Sequence, residues 1–358
     1  MEIRAYYGND FAKKQWGDIA KMIIVFKPHT PEDKINEVSK MIEHLGYEPR
    51  VIKGVEHTVI GAVGDEKIHR SLEIFKSFPC VADVIPIQKR YKLASREYHE
   101  SDSFVMIGKE KIGAGNFQVI AGPCAVESRE QMRQAAKDIY AAGVRILRGG
   151  AYKPRTSPYD FQGLGEEGLQ ILKEIKEEFN MPVITEILGV THVKQVAEVA
   201  DCLQIGARNC QNYHLLEHVA NAGRPVLLKR GMASTVEEWL SAAEYLIVHG
   251  CPNVILCERG IRTFETATRS TLDLGAVAVA KRETHLPVIV DPSHAAGKVD
   301  LVLPLSRAAV AVGADGIIVE THPDPVNATS DAAQQIPSGK FGEFIKSLTP
   351  IIEAMRKA

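Results

Sequence analysis

From residue 117 onward the chain repeats one theme, a short β-rich run followed by a helical segment. The runs are 117–122 (FQVIAG), 144–148 (VRILR), 182–187 (PVITEI), 202–206 (CLQIG), 225–230 (PVLLKR), 254–259 (VILCER), 287–291 (PVIVD) and 316–321 (GIIVET). Eight strand–helix units within about 240 residues predict a (β/α)8 TIM barrel. An open doubly wound sheet shares the alternation, but the regularity of the units and the missing nucleotide fingerprint favour closure.

Upstream of the repeat, 21–28 reads as a strand and 31–45 as a helix, with Thr30 as N-cap and Pro31 at the first helical position. Strands at 47–53 and 57–63, a helix at 65–77 and a strand at 80–88 complete the order of a small α+β ferredoxin-like unit. The expected domains are therefore an N-terminal extension (1–20), the ferredoxin-like unit (21–90), a polar linker (91–103) and the barrel (104–358). A hairpin over 104–115, turning near Lys109, opens the last of these.

The 358 residues carry a net charge of −2, with 45% apolar and 25% charged side chains, which is the make-up of an ordinary soluble globular protein and gives no hint of nucleic acid. No apolar run reaches the roughly 18 residues of a membrane span, and the N-terminus lacks the core of a secretory signal, so a cytoplasmic protein with no membrane partner is expected. The six cysteines have no framework spacing or CxxC pair. Cys202, Cys210, Cys251 and Cys257 read as structural, small buried hydrophobes.

Polar residues cluster at the strand ends: Cys124, Arg148, Glu186, Arg208, Lys229 with Arg230, Glu258 with Arg259, Asp291 with His294, and Glu320 with His322. In a barrel these ends meet on one face, the face on which active sites are built. Taken singly each strand-end charge has a plain alternative as a solvated group; together they read as one bowl. Arg148, Lys153, Arg155, Arg208, Lys229, Arg230 and Arg259 would repel one another there unless a multiply anionic ligand neutralised them, and guanidinium forks suit phosphate and carboxylate. The alternative for any one of these cations is a salt bridge to Glu186 or Glu258. A second set, Cys124, His294, Glu320 and Asp331 with His322, mixes soft and hard donors and suits one divalent metal such as Mn, Fe, Co or Zn better than Mg. The stretch Gly163–Gly168 matches GxGxxG, but it lies well past the preceding strand and carries Glu166 and Glu167 where a pyrophosphate would sit, so it is not read as a dinucleotide site.

The segments IAGPCAVES (120–128), LRGGAYKPRTSPYDFQGLG (147–165), QIGARNCQN (204–212), LLKRGM (227–232), ILCERGIRTFE (255–265) and VDPSHAAG (290–297) closely resemble the type Iβ 3-deoxy-D-arabino-heptulosonate 7-phosphate (DAHP) synthases. The resemblance covers essentially the whole chain, since some members carry an N-terminal ferredoxin-like (ACT-like) regulatory domain. It implies a metal-dependent condensation of phosphoenolpyruvate with erythrose 4-phosphate, the first step of the shikimate pathway. It also implies metal ligands Cys124, His294, Glu320 and Asp331, and phosphoenolpyruvate contacts from Arg148, Lys153, Arg208, Lys229 and Arg259. Glu186 would place a water and Lys153 could supply a proton. Arg155, Thr156 and Ser157 would take the aldose phosphate, with Asp291 near its hydroxyl or carbonyl end. His322 is not among the implied ligands; its place two residues after Glu320, on the same side of an extended strand, gives the separate expectation that it supports them.

The KPRTS form at 153–157 favours the four-carbon aldose over the arabinose 5-phosphate of the related 3-deoxy-octulosonate 8-phosphate synthases, which usually show a KANRS-type segment. A lysine Schiff-base aldolase using Lys153 or Lys229, and a barrel decayed into an amino-acid sensor, are the readings from other classes. The appended domain suggests an aromatic amino acid effector, or else an oligomerisation surface in a homo-oligomer, a tetramer or dimer.

Overall fold

A computed structural model describes residues 20–54, 57–64, 72–86, 90–155 and 157–356. The expected N-terminal extension, the 65–71 part of the helix expected at 65–77, and Thr156 lie outside the described residues, apart from Ala20, which opens the first strand. The chain divides into two compact units, 1–90 and 91–358.

In the first unit, β1 (Ala20–Phe26), α1 (Glu32–His44), β2 (Glu48–Lys53), β3 (Thr58–Val63) and β4 (Val81–Pro86) form an antiparallel sheet in the order β2-β3-β1-β4 with a helix packed on it. The α1 face that does this carries Ile35, Val38 and Ile42 at helical spacing, buried against Ile24, Phe26, Ile60 and Val84. Two local expectations fail. Thr30 does not cap α1: its hydroxyl donates to the Lys27 carbonyl at 2.7 Å, and Pro31 stands at the cap without a side-chain bond. Within 65–77, the described part that is helical, Glu73–Ser77, is a 3-10 turn that buries Phe75.

The second unit is the barrel. Strands β7 (Gln118–Gly122), β8 (Ile146–Arg148), β9 (Val183–Ile187), β10 (Cys202–Ile205), β11 (Val226–Lys229), β12 (Val254–Glu258), β13 (Val288–Val290) and β14 (Gly316–His322) run parallel and close through β14–β7. Alternate residues point to opposite faces of a strand. One parity fills the barrel interior with Ile120, Ile146, Ile184, Cys202, Leu227, Ile255, Cys257, Ile289 and Ile318. The other parity, Ala121, Leu147, Val183, Leu203, Leu228, Leu256, Val290 and Val319 among them, packs on the surrounding helices. The hairpin of β5 (Phe104–Ile107) and β6 (Glu110–Gly113) contributes Val105, Ile107 and Ile112 to the interior cluster and plugs the barrel at the end where the chain enters β7.

Residues 91–103, expected as a linker, belong instead to the barrel unit. Tyr91, Ala94 and Ser95 are buried, the amides of Leu93 and Ala94 both donate to the Glu244 carboxylate at 2.9 Å, and Ser95 bridges to Thr284. Hydrogen bonds rather than an apolar stripe hold this strap, so hydropathy gives no sign of it.

Candidate active site

The parity that fills the interior also selects the site. Two residues beyond the interior layer, on the same inward face, stand Arg148 after Ile146, Glu186 after Ile184, Gln204 after Cys202, Lys229 after Leu227, Arg259 after Cys257, Asp291 after Ile289 and Glu320 after Ile318. Arg230 and Glu258 have the opposite parity. Arg230 donates to the Glu258 carboxylate at 3.0 Å and to Asp273 at 2.9 Å, while Glu258 also accepts from the Gly260 amide, so these strand-end charges form a buried structural network rather than part of the bowl.

Above the inward layer lies a cavity of about 320 Å³. It is lined by seven cations, Lys153, Arg155, Arg208, Lys229, Arg259, Arg262 and Arg269, against three carboxylates, Asp160, Glu186 and Asp331. Arg262 and Arg269 escaped the sequence reading, although Arg262 sits inside the quoted ILCERGIRTFE segment. Both lie in the loop after β12, past the strand ends on which that reading relied. Arg155 donates through Nε to the Phe161 carbonyl at 2.9 Å, while one of its terminal nitrogens is buried without a partner, an arrangement suited to an anion. Ser157 does not line this cavity; its hydroxyl accepts from the Tyr159 amide.

Glycine at two positions permits the close packing. A Cβ at Gly206 would stand 2.0 Å from Glu186 Oε1, and one at Gly150 would stand 2.8 Å from both the Cys124 carbonyl and Lys153 Cδ. Glu186 is further held by Gln204, whose amide donates to it at 3.2 Å.

Of the expected donor set, His294 and Asp331 line the cavity, and Cys124 and Glu320 do not. Ligand atoms of Cys124, Glu320 and Asp331 lie within 4.8 Å of one another, a set able to hold a metal ion. His294 Nε2 is 3.4 Å from Glu320 Oε1 and 3.9 Å from Asp331 Oδ2. Its Nδ1 is 2.7 Å from Asp291 Oδ2, which fixes the ring so that Nε2 faces the carboxylates, and burial, against the pull of Asp291 and Glu320, lowers the imidazole from its usual pKa. Burial, together with the facing Glu320, pushes the Cys124 thiol up to about 12. Against burial, His294, Arg148 and Lys153 hold Glu320 well below the carboxylate range. The residues therefore fit a divalent cation: a sulfur and two ionised carboxylates lie close enough to share it, and the imidazole, outside that group of three, is turned toward the two carboxylates.

Arg148, Asp291 and His322 do not line the cavity either. Arg148 is buried and donates to Glu320 Oε1 at 2.7 Å and to the Pro123 carbonyl at 3.0 Å. Asp291, expected at the aldose, accepts from the His294 amide at 2.9 Å and from Lys229 Nζ, so both of its oxygens are already engaged. His322 turns away: its Nδ1 accepts from the Asp324 amide and its Nε2 lies 3.4 Å from Glu127. It supports none of the metal-donor atoms. Lys153 Nζ, buried, donates to the Cys124 carbonyl at 2.9 Å and stands 3.0 Å from the thiol.

Residues 90–356 match the model of the DAHP synthetase I family. The chain belongs to that family. Residues 22–89 match the DAHP synthase ferredoxin-like domain. A phospho-2-dehydro-3-deoxyheptonate aldolase of Thermotoga maritima is 50% identical over 93% of this chain and 98% of its own length. The crystal structure of the Thermotoga maritima DAHP synthase covers 94% of this chain and 98% of its own at 49% identity, with a TM-score of 0.89. A 2-dehydro-3-deoxyphosphooctonate aldolase of Acidithiobacillus ferrooxidans is more distant, at 33% identity over 66% of this chain and 89% of its own. As a DAHP synthetase I family member the chain is an enzyme of the 3-deoxy-7-phosphoheptulonate synthase class, in aromatic amino acid biosynthesis. Among the described residues no helix is long and apolar enough to cross a membrane.

Proposed function

We propose that the chain condenses phosphoenolpyruvate with D-erythrose 4-phosphate, in a metal-dependent reaction that gives 3-deoxy-D-arabino-heptulosonate 7-phosphate and inorganic phosphate, the first step of the shikimate pathway. The observation that carries this reading is the excess of cations over carboxylates around a cavity that shares Asp331 with the donor cluster. Such an excess needs substrates with several negative charges, and the reaction brings two phosphates and a carboxylate. Lys153, Arg208, Lys229 and Arg259 bind the enol phosphate and its carboxylate, with Arg148 buried outside the cavity lining. Arg155, with Thr156, takes the aldose phosphate, and Ser157, outside the cavity lining, is left out of that subsite.

Cys124, His294, Glu320 and Asp331 hold one divalent ion, Mn, Fe, Co or Zn, which when bound supplies Lewis acidity at the aldehyde. Lys153 is an ammonium: burial alone would lower its pKa, but the facing Cys124, Glu320 and Glu186 raise it. It therefore donates a proton to the oxygen that develops charge as C3 of phosphoenolpyruvate attacks the aldehyde. Glu186 orients the water that adds at C2, after which phosphate leaves with cleavage of the C–O bond.

The test is phosphate release from phosphoenolpyruvate with erythrose 4-phosphate, with and without EDTA, in parallel with arabinose 5-phosphate. Preference for the five-carbon sugar would assign the chain to octulosonate chemistry. Activity that survives exhaustive chelation, with an adduct trapped by borohydride, would assign it to a lysine aldolase.

Among its described residues the ferredoxin-like unit has no catalytic cluster, which supports a regulatory role: it binds an aromatic amino acid and restricts access to the barrel of a cytoplasmic homo-oligomer. A chain shortened to residues 91–358 should keep activity and lose inhibition by phenylalanine, tyrosine or tryptophan. Inhibition that persists in that chain would place the effector on the barrel.

A further inference from the structure

The donor cluster has an outer side that the proposed reaction leaves without a role, and every polar atom on that side is engaged in a particular order. Glu320 Oε1 is the oxygen near His294, and it also accepts from Arg148 at 2.7 Å. Its other oxygen, Oε2, accepts from the Gln334 amide nitrogen at 2.6 Å. Asp331 divides in the same way: Oδ2 faces Cys124 Sγ at 3.3 Å, while Oδ1 accepts from Arg269 at 3.1 Å. The same Arg269 nitrogen donates to Gln334 Oε1 at 3.0 Å. Because the guanidinium only donates and the carboxylate only accepts, the amide of Gln334 has a single satisfactory orientation between them.

Resting on the metal-site reading above, we propose that Arg269 and Gln334 form a brace that pins the outer oxygen of each carboxylate ligand, so that Glu320 and Asp331 each present one oxygen to the metal. With both carboxylates chelating, the Cys, His, Glu and Asp set would offer six donor atoms and fill an octahedral shell. Braced, it offers four and leaves positions open for a substrate oxygen.

The local backbone serves this arrangement. Asp331 has a φ of +51°, in the left-handed region, and the 3-10 turn Ala332–Gln334 follows it at once. The Gln334 amide closes this turn on the Asp331 carbonyl at 3.2 Å, which keeps the two residues together. Gln335 ties the segment down by accepting from the Cys124 amide at 3.1 Å and donating to the Ser330 carbonyl at 2.8 Å. Arg269 and Gln334 act through the ligands and are positioning residues. Gln334 is buried, whereas the Arg269 side chain is 41% exposed at the edge of the substrate cavity.

The experiment is titration of the metal-free full-length protein with Co²⁺, comparing wild type with Arg269→Met and Gln334→Met. The near-ultraviolet thiolate-to-cobalt band reports Cys124, and the intensity of the visible d–d bands reports coordination number. Expected in both variants are a retained thiolate band, d–d intensity at least halved as a freed oxygen joins the shell, and Co²⁺ affinity lower by about tenfold. Wild-type d–d intensity in both variants overturns the brace, whether or not affinity falls. No thiolate band in the wild type, by contrast, overturns the metal site itself. Should Gln334→Met not fold by circular dichroism, Arg269→Met at its half-exposed position decides the question.

Discussion

Gly206→Ala separates the proposed water-placing role of Glu186 from the stability of the barrel. Gly206 has φ −68° and ψ 157°, an ordinary extended conformation that alanine adopts without strain. The new methyl would stand 2.0 Å from Glu186 Oε1, well inside van der Waals contact, where real Cβ atoms essentially never sit. The obstacle is the end of a flexible side chain and not backbone, so the carboxylate yields: it must retreat by more than 1 Å, roughly the gap between 2.0 Å and an ordinary contact of about 3.4 Å or more, and lose its bond from Gln204. A displacement of that size at a reacting group costs on the order of 100-fold in rate. Stability should fall by no more than about 1–2 kcal/mol, the loss of the bond to buried Gln204 being offset in part by alanine's smaller unfolded-state entropy. The assay is phosphate release together with thermal unfolding of Gly206→Ala, Glu186→Ala and the double variant. If the methyl acts through Glu186, the double variant is no slower than Glu186→Ala alone. Wild-type turnover in Gly206→Ala, or a penalty that adds in full to that of Glu186→Ala, would refute the reasoning.

Because the buried Cys124 thiol is raised to about 12, metal binding near neutral pH must displace its proton, and Co²⁺ affinity should climb by about tenfold per pH unit between pH 6.5 and 8.5; calorimetry in two buffers of different ionisation enthalpy should count about one proton released, and a count near zero would mean the thiol is already ionised beside Lys153. Glu320 and Asp291 are both held well below the usual carboxylate range in the folded chain, so the unfolded chain binds more protons in acid; stability of the metal-free protein should be undiminished on this account above about pH 4 and fall below it, with a shallower acid limb in Glu320→Gln by denaturant titration across pH. Asp291→Asn removes the partner of buried Lys229 and should destabilise by about 3–5 kcal/mol in urea melts. Ile112→Ala, in the hairpin plug, should cost about 2–5 kcal/mol while KM for both substrates stays unchanged, since it packs in the interior cluster and lines no part of the cavity.

Much of this protein is written in one dimension. A strand–helix alternation repeated eight times leaves little choice but a closed barrel, because parallel strands need crossovers and a closed ring of eight has no edge to protect. The period-two pattern within each strand goes further: counting two residues on from Ile146, Ile184, Leu227, Cys257, Ile289 and Ile318 reaches Arg148, Glu186, Lys229, Arg259, Asp291 and Glu320. The same count separates Arg230 and Glu258, a buried structural pair, from the site, although reading strand ends without regard to parity groups them with it.

What the sequence could not yield depends on contacts between distant loops. Arg262 and Arg269 come from the loop after β12, and Gln334 from the turn after Asp331; none belongs to a strand, so no periodicity marks them. The strap at 91–103 is held by a carboxylate on a helix about 150 residues further along the chain. Asp291 shows the difference most plainly. Its position at a strand end announces a site residue, but only the packing of Lys229 and His294 against its two oxygens decides that it holds the imidazole and the lysine in place. A carboxylate's role follows from what occupies its lone pairs, and that is a property of the folded chain.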